Sequence, residues 1–266
     1  MNFSDLGLSP KTIQAIDEYG IAEPTTVQSD VIPSILQGKD VFTIAPQGCG
    51  KTMSYVFPLI DIISNKVGQN ILIITPNSEQ SVVVSDRLAV FNKYHEINEA
   101  TLKSSDEDID NEANVIIGSP DLLVELLETN RVDLSKTNIL IVDDINLIKK
   151  NKQLDNLEKV LEILPADKQN IVYTNRRSKE TQSVLEKILK APQEIKVDKT
   201  KEQEAANSAP QRQQPSADKT QTQQKCVCSR CPVRDEEAVA MTKKYNSFNG
   251  KTPDFILNKG ILAEAE

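Results

Sequence analysis

Tryptophan is absent from this 266-residue chain, aromatic residues make up 4 % of it, and it has one histidine, His95. A core is still expected, because 38 % of the residues are apolar, but it must be built largely without large rings. No stretch is apolar enough to span a bilayer. The first residues, Met1-Asn-Phe-Ser-Asp-Leu6, lack the basic region and long apolar core of a signal peptide. The four cysteines are therefore expected to stay reduced, in a cytoplasmic or nuclear setting. Excess positive charge is lacking too. The formal charge is -8, so any nucleic-acid contact must come from a local patch rather than from bulk attraction. The length fits one average domain with an appendage, or two small domains.

Against these absences stands one strong motif, Ala45-Pro46-Gln47-Gly48-Cys49-Gly50-Lys51-Thr52. It follows the apolar run Asp40–Ile44 and precedes Met53–Phe57, so strand, glycine loop and helix come in the order that a phosphate-binding loop requires. Gly48 and Gly50 allow a tight turn that aims successive N–H groups at one spot. The helix opening at Lys51 adds its positive end. The Lys51 ammonium reaches the outer phosphates, and the Thr52 hydroxyl is placed to ligate Mg²⁺. Gln47 and Cys49 contribute backbone to the cradle. The first position of the general pattern, usually glycine, is Ala45.

Strands are expected at Asp40–Ala45, Asn70–Thr75, Asn114–Gly118, Ile139–Val142 and Asn170–Tyr173, with Glu194–Val197 a weaker last one. They are short, apolar throughout and rich in Ile and Val, as in a parallel sheet buried on both faces. Helices are expected at Ser9–Tyr19, Thr25–Leu36, Met53–Ile63, Ser78–Asn92, Asp121–Glu128, Leu154–Leu164 and Ser178–Leu189. Strand–helix alternation with right-handed crossovers predicts an α/β fold, a three-layer sandwich around a mostly parallel sheet. Its ligand belongs at the carboxyl ends of the strands, where the glycine loop falls. Beyond Lys199 the composition changes. Residues 199–224 lack large apolar side chains and read as a disordered linker. Residues 225–266 hold too little apolar surface for a core of their own. Cys226, Cys228 and Cys231 have a spacing that can hold zinc, but a fourth ligand is missing nearby, and mobile thiols are the simpler reading.

A phosphate loop needs a carboxylate at the end of a neighbouring strand. Ile139–Val142 followed by Asp143 and Asp144 supplies it. Asp143 is the candidate for the Mg²⁺ shell and Asp144 for orienting an attacking water.

Together with Gly20-Ile-Ala-Glu-Pro24-Thr25-Thr-Val-Gln28 and Phe3 upstream, these motifs resemble the N-terminal RecA-like domain of DEAD-box RNA helicases. Gly38-Lys39-Asp40-Val runs into the loop as in the initiation-factor-type members. The resemblance covers residues 1–198 and implies a RecA-like ATP-binding domain. It implies that Gln28 pairs with adenine through donor and acceptor together, that Phe3 covers the ring, and that Thr25 supports the loop. The family's second RecA-like domain, with its arginine fingers and half of the RNA groove, has no counterpart in the remaining residues.

Departures from the family pattern are uneven. The Asp-Glu-Ala-Asp motif reads Asp143-Asp144-Ile145-Asn146, so the water-orienting carboxylate is shorter by about one C–C bond, a misplacement that can cost roughly 10²-fold. Ser-Ala-Thr reads Thr174-Asn175-Arg176. Pro-Thr-Arg-Glu-Leu-Ala reads Pro76-Asn77-Ser78-Glu79-Gln80-Ser81, and Thr-Pro-Gly-Arg reads Ser119-Pro120-Asp121-Leu122; each loses its phosphate-contacting arginine. The glycine pair between them is replaced by the acidic stretch Ser104–Asp110. Phosphate contacts supply most non-specific affinity, so weakened RNA binding is expected. Arg176 and Arg177 could offset that loss or simply be solvated. The expected function is ATP–Mg²⁺ binding with slow or absent hydrolysis. The alternatives are a non-enzymatic adaptor that recruits a protein partner through its tail, and half of a helicase completed in trans by a partner chain.

Overall fold

A computed structural model of the chain describes residues 1–66, 68–104 and 113–197. The expectations for residues 199–266, including the linker, the tail and Cys226, Cys228 and Cys231, fall outside the described residues, as does the acidic stretch after Ser104.

Helices α1 (Pro10–Tyr19) and α2 (Thr26–Leu36) come first. The Ser9 side chain caps α1 by accepting from the Thr12 N–H, and Gly20 closes it in the left-handed conformation. Then follow β1 (Val41–Ile44), α3 (Lys51–Asn65), β2 (Ile71–Ile74), α4 (Ser78–Phe91), β3 (Glu99–Thr101), β4 (Val115–Gly118), α5 (Pro120–Glu128) and β5 (Ile139–Val142). The described chain closes with α6 (Ile145–Lys150), α7 (Leu154–Ile163), β6 (Gln169–Thr174), α8 (Lys179–Ile188) and β7 (Gln193–Lys196). The expected helices and strands are present to within a few residues at each end; β3 and α6 are additions.

The strands form one sheet in the order β3-β4-β2-β5-β6-β1-β7, and its pairings are parallel. Alternation explains the layers. Ile71, Ile73, Ile139, Ile141 and Ile171 face a core shared with α1–α4. Leu72, Ile74, Leu140, Val142 and Val172 face a second core shared with α5–α8. Both faces are covered, which is why each of β1, β2 and β5 is buried from end to end. Among the described residues, no helix is long and apolar enough to cross a membrane. At the centre of the sheet β6 separates β1 from β5, so three loops meet at one edge: those after Ile44, Val142 and Thr174.

Candidate nucleotide site

The glycine loop leaves β1 while still pinned to the sheet, with the Ala45 N–H donating to the Thr174 carbonyl at 2.9 Å. Gly48 and Gly50 both have φ of 85°, the left-handed region in which a β-carbon is strained. The loop then enters α3 at Lys51. The backbone N–H groups of Gly48, Gly50, Lys51 and Thr52 have no acceptor among the described residues. The Lys51 ammonium folds back to the Ala45 carbonyl at 3.2 Å. A row of unspent donors, one ammonium and the positive end of a 15-residue helix suits an anion with several oxygens. Cys49 is 2 % exposed and its thiol donates to the Pro46 carbonyl, so it offers the cradle only backbone.

Thr25 and Gln28 hold this loop from behind. They form a reciprocal cap at the start of α2, with the Thr25 N–H donating to Gln28 Oε1 at 3.0 Å. The Thr25 hydroxyl donates to the Cys49 carbonyl at 2.9 Å, and Gln28 Nε2 to the Gly50 carbonyl at 3.4 Å. Gln28, expected to pair with adenine, clasps the loop in this structure with one bond at each amide atom. Gln28 is 4 % exposed, and protein groups engage its donor and its acceptor. Phe3 differs from expectation. It is buried, edge-on to Phe57 with ring centroids 5.7 Å apart, and it does not line the cleft. Its ring completes the apolar core instead of covering a base.

The cleft over the loop has a volume of about 650 Å³, within the range of small-molecule sites. Gln47, Gly48, Gly50, Lys51, Thr52, Asp143 and Asp144 line it, which brings the expected phosphate and metal residues together. Tyr19, Ile21, Val83 and Arg87 also line it and were not singled out from the sequence. Tyr19 precedes and Ile21 follows Gly20 at the start of the Gly20–Gln28 segment, the one local signal that could have found them. Arg87 donates to the Tyr19 hydroxyl at 2.9 Å, and the Tyr19 ring packs on Phe91.

Asp143 accepts a hydrogen bond from the Tyr55 hydroxyl at 3.0 Å. Burial pushes its carboxyl above the usual carboxylate range; the Tyr55 bond and the Lys51 charge act the other way, and neighbouring Asp144 adds to the rise. Burial likewise raises the Tyr55 phenol, with the Asp143 charge next in effect. The Tyr173 ring packs against Tyr55 at a tilt, with centroids 5.4 Å apart, and its hydroxyl shares a 2.8 Å hydrogen bond with Ser54, whose hydroxyl also reaches the Lys51 carbonyl. Asp144 adopts φ 56°, ψ 71°, and its carboxylate accepts from the Leu147 N–H at 3.3 Å, capping α6. A buried carboxylate next to a lysine, a threonine and orphan N–H groups is a donor set that fits a triphosphate with Mg²⁺.

Asn146 joins this edge to the turn after β6. Its Nδ2 lies 2.7 Å from Thr174 Oγ1, 3.0 Å from Asn175 Oδ1 and 2.6 Å from the Arg176 carbonyl, while its own Oδ1 is buried without a partner. In the RNA-facing motifs Ser78 and Leu122 stand where the family pattern has arginine, and both lie in the first turn of a helix. Asn77 accepts from the Gln80 N–H at 2.8 Å at the start of α4. Ser119 precedes α5, which opens with Pro120 and has Asp121 in its first turn, complementing the helix dipole.

The profile of the DEAD/DEAH box helicase family matches residues 25–203. In two strains of Helicobacter pylori, a protein described as DEAD-box ATP-dependent RNA helicase RhpA is 26 % identical over 202 residues, 74 % of this chain. The chain spans 41 % of the length of these relatives. A crystal structure of a DEAD box protein from the hyperthermophile Methanococcus jannaschii superposes with a TM-score of 0.70 at 24 % identity, over 74 % of this chain and 56 % of that one, a likeness of fold. The crystal structure of a hypothetical ATP-dependent RNA helicase from Sulfolobus tokodaii gives 0.66 at 26 % identity, over 71 % and 57 %. The sheet order, the glycine loop and the Asp143 edge thus sit in a RecA-like domain, and the chain belongs to the DEAD/DEAH box helicase family.

Proposed function

We propose that this domain binds ATP with Mg²⁺, grips RNA weakly, and hydrolyses ATP slowly or not at all on its own. The observation that carries the reading is the cradle itself. Orphan N–H groups at Gly48, Gly50, Lys51 and Thr52 face the same cleft as Asp143. Lys51 would leave the Ala45 carbonyl for the outer phosphates, Thr52 and Asp143 would hold the metal, and Asp144 would orient water. A bound Mg²⁺ would offset the negative charge of the phosphates. Base recognition would involve the cleft walls around Ile21 and Tyr19.

Weak RNA binding follows from chemistry at the helix starts. Ser78 and Leu122, which stand where the family pattern has arginine, carry no positive charge, and Asp121 adds a negative one; each lost phosphate contact removes affinity together with its salt dependence. Calorimetric titration of the full chain with ATP and with ADP in millimolar Mg²⁺, followed by RNA with and without nucleotide, tests the reading. Saturable nucleotide binding and weak, salt-sensitive RNA binding are expected. Absence of nucleotide binding would leave a non-enzymatic adaptor that recruits partners on a helicase fold.

A second reading keeps the same site and adds a partner chain that supplies a second RecA-like domain. Its support is the intact tie between Asn146 and the turn after β6, which keeps motif-to-motif coupling in place. Arginines delivered from outside are worth roughly 10³–10⁵ in rate where they operate. RNA-stimulated turnover appearing only when such a chain is added would favour it.

A further inference from the structure

The turn after β6 holds two adjacent arginines in opposite circumstances. Arg177 is committed: it forms an ion pair with Glu194, and its guanidinium lies 6.0 Å from the centre of the Phe42 ring. Arg176 is exposed, and no carboxylate among the described residues pairs with it. Its backbone, in contrast, is held firmly. The Arg176 carbonyl accepts from Asn146 Nδ2 at 2.6 Å and from the Thr174 hydroxyl at 2.8 Å.

Position follows from sheet order. β6 lies between β1 and β5, so this turn leaves the sheet between the glycine loop and the Asp143–Asp144 pair. Arg176 lines a cleft of about 500 Å³ together with Ile44 and Pro46, the latter in the glycine loop itself. A guanidinium with no carboxylate partner among the described residues, on an anchored turn one strand from the glycine loop, is suited to a phosphate oxygen.

The neighbouring substitutions are consistent with this arrangement. The Asn146 amide points at two oxygens that can only accept, Asn175 Oδ1 and the Arg176 carbonyl. An aspartate at 146 would turn a carboxylate oxygen toward both. Asparagine is the residue that this turn requires, and the turn carries the arginine.

We propose that Arg176 senses the outermost phosphate of the bound nucleotide from within the same chain, so that this domain distinguishes ATP from ADP by itself. The proposal rests on the ATP-binding reading above. The γ-phosphate is the group that ATP has and ADP lacks, and a cation at the strand edge beyond the cradle interacts with it selectively.

The test is calorimetry on the full chain with Mg-ATP and Mg-ADP, for wild type, R176A, R176K, N146D and R177A. Melting curves check that each variant is folded. Wild type is expected to bind ATP more tightly than ADP. R176A should weaken ATP about tenfold, one charge-assisted contact, with ADP unchanged. R176K should recover part of the difference, because it restores charge without the fork. N146D should lose the same preference by releasing the turn, whereas R177A should keep it. A ratio of ATP to ADP affinity in R176A within twofold of wild type would overturn the proposal while leaving nucleotide binding intact. R176A that weakens RNA but leaves that ratio alone would also overturn it and assign the arginine to an RNA phosphate. Wild type that binds neither nucleotide would overturn both this proposal and the reading it rests on.

Discussion

Gln28 and Gly50 approach so closely that a β-carbon on Gly50 would lie 2.7 Å from Gln28 Nε2. The same β-carbon would lie 3.0 Å from Thr25 Oγ1. The start of α2 and the phosphate loop are therefore one fitted unit. Whatever moves the loop moves the cap of α2.

This contact makes Gly50→Ala a test of the unit. Two penalties combine: φ of 85° is strained for alanine, and the new methyl group collides with the Gln28 amide and the Thr25 hydroxyl. The loop must shift, which breaks the Thr25–Cys49 and Gln28–Gly50 bonds. Nucleotide affinity should fall at least tenfold and thermal stability by roughly 1–3 kcal/mol, or about 2–4 °C for each kcal/mol. Melting curves and nucleotide titration read the two effects. Unchanged binding would show that the loop does not need the clasp.

Much of this was legible in the sequence, for local reasons. Runs such as Ile71–Ile74 and Ile139–Val142 are apolar on every residue because both of their faces are covered, so the strands show without tertiary knowledge. The glycine loop and Asp143 are likewise read from neighbours in the chain. β3 was missed because Glu99–Thr101 is half-buried at the sheet edge and pairs only with β4. α6 is six residues long and starts after Asp144 in a left-handed turn, too short for any periodicity. Phe3 was misassigned because its burial against Phe57 is a tertiary event. Arg87 enters the cleft from α4 and meets Tyr19 from α1, 68 residues apart, a convergence that no spacing rule contains.

Lys51→Ala removes the only ammonium among the described residues that lines the cleft. Among the described residues its ammonium bonds the Ala45 carbonyl alone, at a half-buried site, so the fold should lose little. Binding of ATP should drop by two orders of magnitude or more, since roughly 3 kcal/mol of charge-assisted contact is lost. Any hydrolysis should vanish with it. Hydrolysis that survives this change would mean that the phosphates lie elsewhere.

Asp143→Asn separates function from stability. Burial raises the Asp143 carboxyl in the folded state, so the folded protein holds that proton more tightly than the unfolded chain does. Below the ordinary carboxylate range both states are protonated and the group costs nothing. As pH rises from that range through the raised value, ionisation inside the protein becomes a penalty, which persists at neutral pH. Asparagine keeps an acceptor for the Tyr55 hydroxyl and carries no charge. The variant should therefore melt higher than wild type at pH 7, with the gap closing as pH falls below the carboxylate range. Mg-ATP affinity should collapse in the same variant. In wild type it should weaken as pH falls through the raised value. Lower melting temperatures for the variant at neutral pH would contradict the assigned cost of the buried charge.

The last prediction concerns the far end of α3, away from the cleft. Asp61, 2 % exposed, accepts from the Ser9 N–H at 2.5 Å, the Ser9 hydroxyl at 2.7 Å and the Thr12 hydroxyl at 2.5 Å. Thr12 Oγ1 also lies 3.1 Å from His95 Nε2, while Ser64 Oγ lies 2.7 Å from His95 Nδ1. This network ties the start of α1 to α3 and to the segment after α4. Thr12→Val keeps the shape and deletes the hydroxyl, which leaves a buried carboxylate oxygen short of one donor and the imidazole short of one partner. Such losses cost roughly 1–3 kcal/mol, because the buried carboxylate cannot turn to water. The melting temperature should fall accordingly, by about 2–4 °C per kcal/mol, with nucleotide affinity unchanged. Asp61→Asn should cost more, since it replaces a charged acceptor of three hydrogen bonds. If Thr12→Val melts like wild type, the Asp61 cluster is not what fastens α1 to the sheet.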